Sequence, residues 1–551
     1  MRILIIFSFL LFTISIQAQQ KKTVVSWDKN IKGDSLTEAQ EKNWQHLDIE
    51  KDTIPGISLD RVYKELLRKK KGKDIIVAVL DTKVDIFHED LQQQVYVNVN
   101  EIPNNKVDDD GNGYIDDIHG WNFLGSENGK DILYQKNEIT RFIEKYKPIV
   151  SDTLNPLSKD STFIEEYKQL EKEYDVLLEK TTEDIEYAYK IIGIDTAVKR
   201  ALAPYFESSS YTLEDLDALK NKFPDDKDLH SNILKRSNFI KYNITEEYLY
   251  NTLDGALNNK KLVNPLFNER VIINDSLINF TNRNYGNPIV YGKVPFEHSI
   301  AVSGIMAANR SNGIGILGVS DHIKIMPVVM VASGDEHDKD VATAIRYAVD
   351  NGASIINMSW GKKRSLYKEK IFEAIRYAEE RDVLLVTAGG NNNEDNDVYS
   401  YYPNDYDNGN EFASNFIVVG ASSYDVEKLK ASFSNYGTSQ VDIFAPGDRL
   451  YSTSSDNEFG DYDWTSGTSL ASPIVSGVAA LIRSHYPSLK ASEVKQILMD
   501  SAVKYDILVD VPTKENPEQQ LPFSELSKSG GIVNAYNAML MAEAFVKRNK
   551  K

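Results

Sequence analysis

The sequence predicts an α/β fold, and three runs of residues predict it. Ile75-Ile76-Val77-Ala78-Val79-Leu80 is an uninterrupted apolar run of the kind that a parallel strand buried on both faces requires, and Asp81 ends it. His298-Ser299-Ile300-Ala301-Val302-Ser303-Gly304-Ile305-Met306-Ala307-Ala308 is small and apolar throughout, which reads as a buried helix opened by a histidine. Pro473 to Ile482, rich in Ala, Val, Gly and Ile, reads as a second helix buried on most sides, with Pro473 in its first turn.

The polar residues at the ends of these elements are the candidates for chemistry. Carboxyl ends of strands in open α/β sheets are where ligands and catalytic groups collect, so Asp81 is placed for function, although a carboxylate there also caps a following helix. Of the eight histidines, His298 alone begins an apolar helix; the others lie in charged or loop-like settings such as Glu336-His337-Asp338. Ser469, in Thr465-Ser466-Gly467-Thr468-Ser469-Leu470-Ala471-Ser472-Pro473, precedes a helix whose positive end stabilises a developing oxyanion, and it equally suits an N-cap. A serine hydroxyl needs a base to take its proton and a carboxylate to orient that base, and Asp81, His298 and Ser469 supply one of each.

On these residues the chain resembles the subtilisin-like serine proteases, the subtilases. Ala78-Val79-Leu80-Asp81-Thr82 with His88-Glu89-Asp90-Leu91 resembles the aspartate motif, Glu297-His298 through Ala308 the histidine motif, and Ser466-Gly467-Thr468-Ser469 with Ala471-Ser472-Pro473 the serine motif. Gly318-Val319, Lys324 to Val328, Ile356 to Gly361 and Phe444-Ala445-Pro446-Gly447 are family-like landmarks between them. The resemblance implies a subtilisin-like doubly wound, mostly parallel sheet with helices on both faces, and a secreted serine endopeptidase working through an acyl-enzyme. It implies Asp81, His298 and Ser469 as the triad, Asn391 at the end of Val386-Thr387-Ala388-Gly389-Gly390-Asn391 as the oxyanion donor, and Ser359, Trp360 and Gly361 as an edge that pairs with substrate backbone. Three places depart from the pattern. Lys83 stands where glycine is usual, Ser299-Ile300-Ala301 replaces Gly-Thr-His, and Leu470 replaces a methionine. These departures keep a second function class open, a catalytically degenerate binding protein that uses its insertion to hold a partner.

A separate signal is Asp108-Asp109-Asp110-Gly111-Asn112-Gly113-Tyr114-Ile115-Asp116-Asp117. Oxygens of Asp108, Asp110, Asn112 and Asp116, with the Tyr114 carbonyl, follow the first part of an EF-hand loop and suit structural calcium, but His119 stands at the twelfth place instead of the bidentate glutamate. Asp90 with Asn309 to Ile316 resembles a second calcium site of the family.

Composition bounds the setting. Residues 1–18, a basic start and a short apolar run ending before Gln19, read as a signal peptide cleaved after Ala18, hence a secreted or periplasmic protein without a membrane span. With no cysteine, calcium takes the cross-linking part that disulfides play in other secreted proteins. The formal charge of -19 excludes nucleic acid as a natural partner and favours protein or peptide substrates. Residues 19–69 read as an N-terminal extension, residues 70–129 and 284–551 as the catalytic domain, and residues 130–283 as a helical insertion. The insertion is expected because Phe163, Tyr167, Leu170, Tyr174 and Leu177 alternate spacings of four and three, the seam of a packed helix. It is a candidate lid or docking surface.

Overall fold

The computed structural model describes residues 24–25, 36–68, 70–208, 210–292, 298–456 and 460–549. The signal peptide, its cleavage point after Ala18 and Glu297 lie outside the described residues. Among the described residues one sheet of ten strands runs through the catalytic part: β1 (Val24–Val25), β2 (Ile75–Asp81), β3 (Trp121–Asn122), β4 (Ile323–Val329), β5 (Ile355–Met358), β6 (Leu384–Ala388), β7 (Phe416–Ser422), β8 (Ile443–Pro446), β9 (Val503–Tyr505) and β10 (Gly531–Ile532). Their spatial order is β1-β9-β10-β8-β7-β6-β5-β2-β4-β3, and every neighbouring pair is parallel except β9 with β10.

The strands are apolar on both faces because helices cover both. Val77 and Val79 of β2 share one core with α6 (His298–Ala307) and α9 (Thr468–His485), while Ala78 and Leu80 share the other with α7 (Asp338–Asp350) and α8 (Lys368–Glu380). This is the expected doubly wound α/β architecture. No helix among the described residues is long and apolar enough to cross a membrane.

Between β3 and α6 stands the helical insertion: α1 (Glu138–Ser151), α2 (Ser161–Leu202), α3 (Leu213–Lys222), α4 (Lys227–Lys241) and α5 (Glu246–Leu262). At 42 residues, α2 is about 63 Å long. The seam read from the sequence packs: Tyr167, Leu170 and Tyr174 are buried against Ile143 and Val263, with Leu177 partly buried beside them and Phe163 edge-on to Tyr146. A second small core, Val198, Leu202, Leu216, Leu219, Leu229 and Ile233, closes the far end.

One element begins earlier than the sequence indicates. The serine helix starts at Thr468, so Pro473 is its sixth residue and lies inside it, not in its first turn. Proline has no N-H to give the carbonyl four residues back, which here belongs to Ser469. The Ser359 hydroxyl makes good that loss, donating to the Ser469 carbonyl at 2.8 Å.

Candidate active site

Asp81 ends β2 fully buried, and its carboxylate accepts the Thr82 N-H at 2.7 Å through Oδ1. His298 opens α6 with Nδ1 at 3.0 Å from Oδ1 and 2.9 Å from Oδ2 of that carboxylate. The Ser299 N-H donates to Thr82 Oγ1 at 3.1 Å, so the first turn of α6 is fastened to the end of β2. With Nδ1 committed to Asp81, the outward nitrogen Nε2 is the one that can accept a proton, and the side chain keeps 36% of its surface exposed. Burial lowers the imidazole's proton affinity, but the Asp81 carboxylate, its hydrogen bond and the more distant Glu336 outweigh this, and the net direction is upward.

Ser469 is the second residue of α9 and is nearly buried. Gly467 before it has no room for a side chain, because a Cβ there would stand 2.7 Å from Ser469 Oγ and 3.7 Å from Asn391 Nδ2. The nucleophile candidate and the amide candidate therefore border one small space. The Asn391 carbonyl oxygen accepts both the N-H and the hydroxyl of Thr468 at 2.9 Å each, which pins the amide to the helix N-terminus and fixes which end is nitrogen. Nδ2 is left to face the exposed side, where it donates to no other group among the described residues.

Acid and nucleophile are tied to each other through the segment after β5. Trp360 Nε1 donates to Leu80 O, next to Asp81, at 2.6 Å, while neighbouring Ser359 holds the Ser469 carbonyl and lies 2.9 Å from Ser472 Oγ. The side chains of Ser359 and Trp360 are thus engaged within the protein, and Gly361 O accepts the Tyr401 hydroxyl at 3.0 Å. No hydrogen bond joins His298 to Ser469; they stand on α6 and α9, which pack together. Such bonds are often long without substrate and tighten when it binds.

The departures from the motif have local explanations. The Lys83 ammonium is 2.6 Å from Asp131 Oδ2, and Asp131 Oδ1 is held by Asn122 Nδ2, so this charge is matched by a carboxylate other than Asp81. Leu470 is buried in the core beneath α9. Ser299 is fully buried where α6 meets β2.

In the acidic loop the side chains read as ligands also hold the loop's own backbone. Asp108 accepts the Gly111, Asn112 and Gly113 amides, and Asn112 Oδ1 accepts the Tyr114 amide. Asp116, at φ +56°, turns its carboxylate onto the Asn105 and Lys106 amides. Tyr114 is held by ring contacts to Trp121 and Tyr347. Of the side chains predicted as ligands, Asp110 is the one that converges with other carboxylates: one oxygen each of Glu101, Asp110 and Asp117 lies within 4.8 Å of the other two. Burial, and the nearby Asp110, raise Asp117 to about 6 against the pull of hydrogen bonds from Tyr347, Asn98 and Asn112. Glu101 lies outside the decapeptide, and Asp117 is one residue past the EF-hand register, so spacing alone misses both. The carboxylate of Asp90, by contrast, is filled by Asn312 Nδ2 at 2.6 Å and Ile316 N at 3.0 Å.

A cavity of about 770 Å³ opens at the root of the insertion, lined by Lys136, Arg141, Phe267, Arg270 and Lys339 among others, and none of the triad candidates borders it.

The chain is similar in sequence to known proteins. The model of the subtilase family matches residues 206–529, more than half of the chain, including His298 and Ser469 but not Asp81. The thermophilic serine proteinase of Bacillus sp. (strain AK1) is 35% identical over 209 residues, 38% of this chain and 47% of that protein. Subtilisin DY of Bacillus licheniformis is 34% identical over 207 residues, 37% of this chain and 70% of that protein. The halolysin-like extracellular serine protease Nep of Natrialba magadii is 35% identical over 207 residues, 38% of this chain and 35% of that protein. The chain thus spans less than half the length of the first and third of these relatives.

Proposed function

Because the chain belongs to the subtilase family, we propose that it is a secreted serine endopeptidase that cleaves protein or peptide chains through an acyl-enzyme. The observation that carries this reading is the hold of both oxygens of the buried Asp81 on His298 Nδ1, at the carboxyl ends of the central strands, where Ser469 Oγ and Asn391 Nδ2 border one space. His298 Nε2 takes the proton of Ser469 as the hydroxyl attacks the peptide carbonyl, and Asp81 steadies the imidazolium that forms. The carbonyl oxygen, now negative, is met by Asn391 Nδ2 and by the Ser469 N-H at the positive end of α9. The imidazolium then returns its proton to the leaving amine, and a water repeats the cycle on the acyl-enzyme. The peptide lies extended along residues 359–361, recognised through its main chain.

Two further parts of the reading are calcium and export. Oxygens bound to one calcium at 2.3–2.6 Å stand at most about 5 Å apart, so the Glu101, Asp110 and Asp117 spacing fits that ion, which would relieve the repulsion among them. Export is supported by the leader at residues 1–18 and by the extracellular designation of the Natrialba relative.

A fluorophosphonate probe tests the reading. Wild-type protein should be labelled on Ser469 and His298→Ala should not; an unlabelled, folded, calcium-supplied wild type refutes it. For the ion, chelation should lower Tm of the wild type but not of Asp110→Asn, and equal melting with and without chelator would remove calcium from the account.

A further inference from the structure

The chain leaving β5, residues 359–361, and the chain leaving its parallel neighbour β6, residues 389–391, flank Ser469: Ser359 Oγ donates to the Ser469 carbonyl and Asn391 Oδ1 holds the neighbouring Thr468. Each segment carries a glycine where it faces the ring of Tyr401. A Cβ on Gly361 would come 2.4 Å from Tyr401 Cε1, and a Cβ on Gly390 would come 3.2 Å from Tyr401 Cζ. The ring therefore spans the gap between the two segments, filling space that the glycines vacate.

It is held there firmly. The hydroxyl donates to Gly361 O at 3.0 Å, Tyr402 exchanges two backbone hydrogen bonds with Lys362 at 2.8 and 2.9 Å, and Asn404 Nδ2 donates to the Tyr401 carbonyl at 2.9 Å. Burial first, and then the carboxylates of Glu336, Asp335 and Glu394, hold the phenol well above its usual range, so it stays a neutral donor at alkaline pH. The side chain is mostly buried, so the ring is a fixed part of the gap's lining.

A peptide carbonyl placed at Ser469 Oγ, with its oxygen toward Asn391 Nδ2, brings its own side chain beside Gly390, the residue adjoining Asn391. That side chain must enter the gap between residues 359–361 and 389–391. Resting on the peptidase reading above, we infer that Tyr401 determines specificity at this position: it blocks the gap and restricts the residue on the acyl side of the scissile bond to glycine, alanine or serine. Aromatic and long aliphatic side chains meet the ring before the carbonyl reaches Ser469. Binding differences of this steric kind are worth one to two orders of magnitude per group excluded.

The test compares kcat/KM for paired internally quenched peptides that differ only in alanine or phenylalanine at the acyl position, in wild type, Tyr401→Phe and Tyr401→Gly. The expected results are a preference for alanine of about 100-fold or more in wild type and in Tyr401→Phe, narrowed to under about tenfold in Tyr401→Gly. Fluorophosphonate labelling of Ser469 in each protein reports whether the site is assembled. A labelled wild type that cleaves the phenylalanine peptide as well as the alanine peptide overturns the inference and leaves the peptidase reading standing. A labelled Tyr401→Gly with an unchanged ratio does the same. Absence of labelling in wild type removes both.

Discussion

In the catalytic body, helices lie against a sheet; in the insertion, they lie against one another. α9 is buried along nearly its whole length, touching strands and neighbouring helices on all sides, so the position of Ser469 is set by contacts from every direction. α2 is more than twice as long, yet its large buried hydrophobic residues form two small clusters, one at the root and one at the far end, with only Thr181, Ala188 and Asp195 buried between them, and most of its residues are not buried. The body can hold reacting atoms in place, whereas the insertion holds only itself. Where the two meet, the joint is electrostatic: Arg141 donates to the Asp335 and Glu336 carbonyls, and Lys362 pairs with Glu138 and Asp338. Pairs as buried as these cost several kcal/mol when one partner is removed, since the other charge is stranded.

The contrast can be tested by graded damage. Asp81→Asn strikes the body where its precision is concentrated and should lower kcat about 10⁴-fold on any cleavable peptide, with the melting of the insertion unchanged. A loss below tenfold would mean that the buried carboxylate does not orient His298. Asn391→Ala should cost about 10² to 10³ in kcat with little change in KM, measured on the same peptide, because Nδ2 meets the oxyanion while Oδ1 only holds Thr468. Leu202→Ala, at the fully buried far-end cluster, should destabilise that cluster by about 2–5 kcal/mol and raise hydrogen exchange across α3 and α4. Its kcat/KM on a short peptide should stay within about twofold of wild type; a parallel fall in activity would show that the insertion does position the site.

The smallest expected effect is on pH. His298 must be neutral to accept the serine proton, and its proton affinity is raised by Asp81 and, to a lesser extent, Glu336, so activity should fall as pH drops through a value above 6.5. Glu336, buried and pushed up to about 7, is ionised above that point and helps hold the imidazolium there. Glu336→Gln should move the acid limb of kcat/KM to lower pH, and an unmoved limb would show that this carboxylate is not felt at His298.

Much of this was legible in the residues. A run such as Ile75 to Leu80 admits few environments other than a doubly covered strand, and the heptad tyrosines and leucines of α2 announce a helix that packs on one side. The candidate nucleophile, base and acid stand out because each sits where an apolar element starts or stops. Pro473 misled because proline normally marks a first turn, and the compensating Ser359 hydroxyl comes from the segment after β5, more than a hundred positions away. Glu101 and Asp117 escaped notice because local spacing describes a loop's own turns, whereas convergence depends on Glu101 reaching back to the Asp116 amide and on Tyr347 of α7 holding Asp117. Tyr401 carried no local signal at all; only the paired glycines facing it, far apart in the chain, betray it.

The two ends of the long excursion between β3 and α6 meet at Asn122 and Asn287, whose backbones exchange hydrogen bonds of 2.8 and 2.9 Å. A stretch of 165 positions (287 − 122) thus leaves and re-enters the body through a doorway one residue pair wide. Such closely spaced ends mark where a foreign domain with neighbouring termini could be spliced in, provided it kept Phe123, Leu124 and Tyr285 in the core and supplied carboxylates for Lys83 and Lys362. During synthesis the same geometry delays assembly, because the ribosome must deliver the whole excursion before His298 emerges to meet Asp81.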